Sequence, residues 1–312
     1  MNPSRLLLIA ALAVPGIAAA QEGVLVTQTL VRAESKADVM PTAESIKLEV
    51  NSKQTPLLAL TPIKPSGVQV ALLIDDGLSR GAGLQLNEMR DFAGMLPPDV
   101  ELMVGYMQNG TVRVASPFST DRAAAVQSIR MPMGLPGESA SPYFCLSEFV
   151  KNWPQSESGS PKARIVMMIT NGVDPYNGST RMSNQDSPYV ASAVIDAQRA
   201  GVAVYSIYYR DSGFRGGGAS FSGQSYLQQV ADGTGGNTYY QGEGNPVSIG
   251  PFFKEFVHDI AETYVATFNT TAEAGGREHL VRIKVSTNTP KVKVKAPAEV
   301  RPGNREAAVA RQ

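Results

Sequence analysis

Hydrophobic and polar positions alternate along the first part of the chain and then stop alternating. Residues 24–31 (VLVTQTLV) and 45–51 (SIKLEVN) place apolar side chains at every second position, the pattern of strands with one wet face. The stretch 34–42 between them is polar, and Pro56, Pro62, Pro65 and Gly67 crowd residues 56–67, so a strand-rich lead-in ends near Pro65. Residues 68–79, VQVALLIDDGLS, are then mostly apolar until two carboxylates, a glycine and a serine. Such a run suits a parallel strand covered on both faces, which delivers its terminal polar groups to the carboxyl edge of a sheet.

Residues 81–96 come next at helical spacing and stop at Pro97-Pro98. Two strand patterns, 100–107 and 111–118, are joined by Asn109-Gly110, the dipeptide a two-residue hairpin favours. Thr120 or Asp121 can cap a helix over 123–129, residues 131–141 form a Gly/Pro-rich loop, and Ser141-Pro142 opens a helix through Phe144, Leu146, Phe149 and Val150. A second apolar run, 164–172 (RIVMMITNG), repeats the first and should reach the same edge. Residues 186–200 read as a helix stopped by Gly201, 202–209 as a strand, and 211–223 as a mobile glycine-rich loop. A short helix, a short strand and an amphipathic helix lead to residues 264–269, 278–286 and 290–296, which alternate as an antiparallel sheet does, their lysines suiting an edge.

The fold class these patterns predict is α/β, a doubly wound, mainly parallel sheet with β-rich N- and C-terminal extensions that can pair in space. The expected organisation is a signal peptide over 1–20, a β-rich lead-in over 21–66, an α/β domain over 67–262, a β-rich tail over 263–298 and a disordered terminus over 299–312. The leader rests on Arg5, a short apolar run over 6–14 and the small residues Ala18 and Ala20 before Gln21. No later stretch is long and apolar enough to span a bilayer, so the mature chain is expected in the periplasm or outside the cell.

Composition narrows the function. Twenty-eight basic residues face twenty-eight acidic ones, and cleavage of the leader would remove only Arg5. Near-neutrality gives no reason to expect nucleic acid as a partner. The single cysteine, Cys145, sits among apolar neighbours and reads as a small buried hydrophobe. His258 and His279 lie in no motif that pairs a base with a nucleophile, and the chain lacks G-x-S-x-G, H-E-x-x-H and S-x-x-K, so it is not expected to be an enzyme.

The order of a hydrophobic strand, D-x-x-x-S, an amphipathic helix, a Ser-bearing loop and a strand ending T-N-G resembles the von Willebrand factor A domain. The segments AQRAGVAVYSIYYR, LQQVADGTGGNTYY and FVHDIAETYVATFN, with the tail HLVRIKVSTNTPKVKVKA, are similar to the A-like domains of exported acidobacterial proteins. The resemblance implies a metal-ion-dependent adhesion site holding Mg²⁺ or Mn²⁺. Its D-x-S-x-S motif falls on Asp75-Asp76-Gly77-Leu78-Ser79, so Asp75 and Ser79 match and Gly77 replaces a serine. Its threonine falls on Ser141, with Ser139 as the fallback, and its T-D-G aspartate on Asn171. One ligand and one charge are therefore missing, which weakens or abolishes binding of a hard cation.

The implied function is an exported module that binds another protein at the sheet's carboxyl edge. Asp76, Asp174, Tyr176 and the 213–221 loop are the expected contacts. The alternative is a structural component of a cell-envelope or secretion assembly that uses its β-rich ends.

Overall fold

The computed structural model describes residues 23–35, 41–133, 141–154, 161–176, 186–210, 216–242, 244–271 and 279–305. The leader, Ser139 and residues 306–312 lie outside these, as does most of the 131–141 loop. In chain order the strands are β1 (Val24–Ser35), β2 (Ile46–Val50), β3 (Lys53–Thr55), β4 (Leu57–Pro62), β5 (Val68–Asp75), β6 (Glu101–Gln108), β7 (Thr111–Ser119), β8 (Ala163–Thr170), β9 (Val202–Tyr208), β10 (Thr238–Tyr239), β11 (Thr263–Thr271), β12 (Val281–Thr287), β13 (Val292–Lys295) and β14 (Glu299–Val300). The helices are α1 (Leu86–Met95), α2 (Arg122–Ser128), α3 (Pro142–Lys151), α4 (Pro188–Ala200), α5 (Gly216–Thr234) and α6 (Gly250–Ala261).

Six strands form the central sheet in the order β10-β9-β8-β5-β6-β7, parallel throughout except for β7. All eight residues of β5 are buried, because both faces of the sheet are covered. Val70, Leu72 and Ile74 share a core with Phe92 of α1, Ala125 of α2 and Phe253 and Phe256 of α6. Ala71 and Leu73 face the opposite core, with Leu146 and Phe149 of α3, Val190 and Ala193 of α4 and Leu227 and Val230 of α5. This is a doubly wound α/β fold. The chain leaves β5 toward β6 and later returns beside β5 as β8, so connections diverge between β5 and β8, where such sheets open a crevice at their carboxyl ends.

Local chemistry sets the joints. Asn109 and Gly110 take φ of 48° and 78°, the paired positive values of the tight β6–β7 hairpin. Asp121 caps α2 through the Ala123 and Ala124 N–H groups, Ser141 caps α3 and Ser187 caps α4. The helix expected over 81–96 is instead a 3₁₀ turn over Arg80–Gln85 followed by α1, since Leu84 points into solvent while Met89, Phe92 and Ala93 face the core.

The β-rich extensions pair with one another. β1 and β11 run antiparallel from Val24–Thr271 to Arg32–Thr263 within a sheet ordered β13-β1-β11-β4. A second sheet, β14-β12-β2-β3, packs on it through Leu48, Phe268, Val281, Ile283 and Val300. Arg32 of β1 forms a buried ion pair with Asp259 of α6, and Tyr239 donates a 2.6 Å hydrogen bond to the same carboxylate, which ties the paired extensions to the α/β body.

Two expectations are corrected. Disorder from residue 299 onward does not hold for 299–305: β14 pairs with β12, the Gly303 N–H donates to the Thr27 hydroxyl and the Gln28 N–H to the Asn304 carbonyl, so this segment is held in place. Part of the glycine-rich stretch expected to be a loop is helical, since α5 begins at Gly216; residues 211–215 lie outside the described set. At Gly223 packing accounts for the glycine. A Cβ on Gly223 would lie 2.2 Å from the Asn171 carbonyl oxygen, so only a glycine lets α5 cross the end of β8 this closely.

Candidate functional site

The ends of β5 and β8 bring the motif residues to one edge of the sheet. Asp75, the last residue of β5, is buried; its Oδ1 accepts from the Gly77 N–H at 2.9 Å and its Oδ2 from the Thr170 hydroxyl at 2.7 Å. The Thr170 oxygen in turn accepts from the Gly172 N–H at 3.1 Å. One carboxylate thus organises two turns and joins the two strands that flank the switch point.

Asp76, expected to face a partner, turns inward. It is 1% exposed, and its Oδ1 accepts from Arg130 at 2.7 Å and from the Met133 N–H at 3.0 Å, while Gln108 donates to Oδ2. The Arg130 guanidinium lies 3.8 Å from the centre of the Tyr106 ring, and the Tyr106 hydroxyl accepts from the Arg130 N–H at 2.6 Å. Burial alone raises the Asp76 carboxyl, but Arg130, Met133 and Gln108 together outweigh it and hold the group below the usual carboxylate range.

Asp174 is likewise buried rather than partner-facing. The Ser187 hydroxyl donates to its Oδ2 at 2.6 Å and the Tyr176 N–H to its Oδ1 at 3.2 Å, so it pins the start of α4 to the loop after β8. Tyr143 of α3 reaches across to donate to the Gly172 carbonyl at 2.7 Å. Asn171 Oδ1 accepts from the Val173 N–H at 2.9 Å, and Ser141 Oγ from the Tyr143 N–H at 3.3 Å. Ser79 is half-buried at the start of the 3₁₀ turn and makes no capping bond there.

Most side-chain oxygens of the motif are engaged within the chain. Mg²⁺ and Mn²⁺ need oxygen ligands that offset their charge. Both Asp75 oxygens already accept hydrogen bonds, Gly77 brings no side-chain oxygen, the Asn171 amide oxygen closes its own turn, and Asp76 and Asp174 are engaged by Arg130 and Ser187. Among the described residues no group of three or more Asp, Glu, His or Cys side chains is placed to hold a metal.

What the edge does present is aromatic. Tyr176 is 56% exposed, its ring centre 5.2 Å from that of half-buried Phe144, and Phe144 in turn meets Tyr189 edge-on at 4.6 Å. Each ring stands next to an edge lock, since Phe144 follows capped Tyr143, Tyr176 donates to Asp174 and Tyr189 donates to Ser187. Phe144 and Tyr189 are not among the expected contacts; Phe144 belongs to the apolar repeat of its helix. The 216–221 part of the expected contact loop belongs to α5, and 213–215 lie outside the described residues.

The thiol and the described histidine of α6 are a buried group and an exposed one. Burial pushes the Cys145 thiol up to about 12. His258 sits 3.4 Å from Glu262 on the outer side of α6.

No protein-family model matches the chain, and neither does any curated protein. Among solved structures it is similar to a von Willebrand factor type A protein from Catenulispora acidiphila, at 10% identity over 90% of this chain and 74% of that one, with a TM-score of 0.45. It is also similar to the pilus adhesin SpaC from Lactobacillus rhamnosus GG, at 9% identity over 87% and 47% of the two chains, TM-score 0.46. The manganese-loaded TRAP protein of Plasmodium vivax aligns at 11% identity over 78% and 97%, TM-score 0.45. Likeness of this degree transfers no function.

Proposed function

We propose that this chain is an exported protein-binding module of the von Willebrand factor A type that works at the carboxyl edge of its sheet without a resident divalent cation. The observation that carries the reading is the Tyr176–Phe144–Tyr189 cluster. Rigid rings with a polar tip contribute large contact area at low entropic cost, and exposed aromatic clusters on an ordered base are where binding energy concentrates. The locks beneath them hold the edge in one arrangement, so little ordering is needed on contact. A catalytic reading gains no support from an inert thiol and a solvent-facing histidine.

The assembly-component reading draws less support. β1 lies between β13 and β11, so the ends it would offer to neighbours pair within the chain, and the outer strand β13 carries exposed Lys293, which discourages strand addition.

The test is capture of a partner from the exported fraction of the source cells by the immobilised wild-type chain, with and without chelator, beside Tyr176→Ala/Phe144→Ala. The expected result is capture that survives chelation and is lost in the double variant. Capture that requires Mn²⁺, or that the variant retains, rejects the reading.

A further inference from the structure

The amino-terminal edge of the central sheet, opposite the aromatic cluster, carries a cleft of about 380 Å³. That volume falls in the range of small-ligand sites. Its walls bring together Lys151 at the end of α3, Arg164 near the start of β8, Arg199 in the last turn of α4, and Arg301 from the C-terminal extension, around Trp153 and Asp196. Among the described residues four cations and one carboxylate line this cleft.

Asp196 is shared. Lys151 approaches it at 3.5 Å, Arg199 at 3.8 Å, and the Ser147 hydroxyl donates to it at 2.5 Å. Arg164 donates to the Ala200 carbonyl at 3.2 Å and lies over the Trp153 ring at 5.7 Å. The next carboxylate along this edge, Glu101, is held by Lys162 at 2.5 Å and by Gln69, which also accepts from the Trp153 indole. Cations at the ends of α3 and α4 complement the helix dipoles, which accounts for Lys151 and Arg199. Arg301 reaches the same helix ends from a different part of the chain, the C-terminal extension. For Arg301, no carboxylate lies within ion-pair distance among the described residues.

We propose that this cleft is a second binding site, for a small organic or inorganic oxyanion, in which Arg301, Arg199 and Lys151 supply the charge and the Trp153 wall supplies an apolar floor. Guanidinium groups match phosphate and carboxylate oxygens in paired hydrogen bonds. The C-terminal extension completes the site by contributing Arg301.

The chain contains a single tryptophan, and Trp153 lines this cleft, so its emission reports changes there. Titration with inorganic phosphate and, separately, citrate at constant ionic strength should change Trp153 emission saturably. Response to phosphate alone assigns a tetrahedral anion, response to citrate alone a carboxylate, and response to both the shared oxyanion chemistry. In Lys151→Gln/Arg301→Gln the apparent affinity should fall by about tenfold or more, while Lys254→Gln on the exposed face of α6 should leave it unchanged. Should the double variant melt early, Arg199→Gln, whose side chain is 46% exposed, takes its place. An emission unmoved by either anion, an equal response to chloride, or a response kept in the charge-neutralised variants overturns the proposal.

Discussion

Asp76 shows how a carboxylate in a loop motif becomes a structural part. With Arg130, Met133 and Gln108 around it, the group ties the end of β5 to the end of β6 and to the segment after α2. Asp76→Asn should cost about 1–3 kcal/mol at neutral pH, below the range for breaking a fully buried pair because the Arg130 side chain is 34% exposed. The depressed carboxyl sets the pH window. Its contribution is complete above the unfolded value near pH 4 and disappears as pH falls through the lower folded value. Denaturant unfolding of both proteins should therefore differ at pH 7 and converge in strong acid; a difference that persists there would mean Asp76 acts through packing. Asp75 at the end of its strand is legible from the apolar run before it. The inward turn of Asp76 is not, because Arg130 lies 54 residues away and no local pattern links it to a carboxylate.

Among the helices and strands, two contacts tie helices to the rest of the fold. α5 crosses the Asn171–Gly172 turn at Gly223, where any Cβ meets backbone that cannot swing aside. Gly223→Ala should lower stability by about 1–3 kcal/mol, read as a drop in the thermal midpoint. An unchanged midpoint would show that α5 can shift without loss. The other contact is Arg32–Asp259, which joins the paired extensions to α6. Asp259→Ala strands a buried guanidinium and should cost about 3–5 kcal/mol by denaturant unfolding, whereas an effect below about 1 kcal/mol would mean water reaches Arg32. Strand patterns, a cap at Thr120 or Asp121 and the helix start at Ser141 can be read along the chain, since they depend on neighbours a few residues away, whereas the Ser187 cap is not among the expectations. The onset of α5 cannot, because a run of glycines has no helical preference and its placement comes from the turn it crosses.

For the whole molecule, the doubly wound sheet puts two different surfaces at its two ends: aromatic rings over internal locks at the carboxyl edge, and a cationic cleft at the amino edge. In the proposed function the carboxyl edge holds its shape through Asp75–Thr170, Asp76–Arg130 and Asp174–Ser187 rather than through a metal. A thermal unfolding scan of the chelated protein against Mg²⁺ and Mn²⁺ titrated to millimolar levels tests this directly. A cation present at one hundred times its dissociation constant would add about 2.7 kcal/mol to the folded state. An edge locked by its own hydrogen bonds should show no shift with either ion. A rise in the midpoint that disappears in Asp75→Ala would contradict it and establish a working metal site.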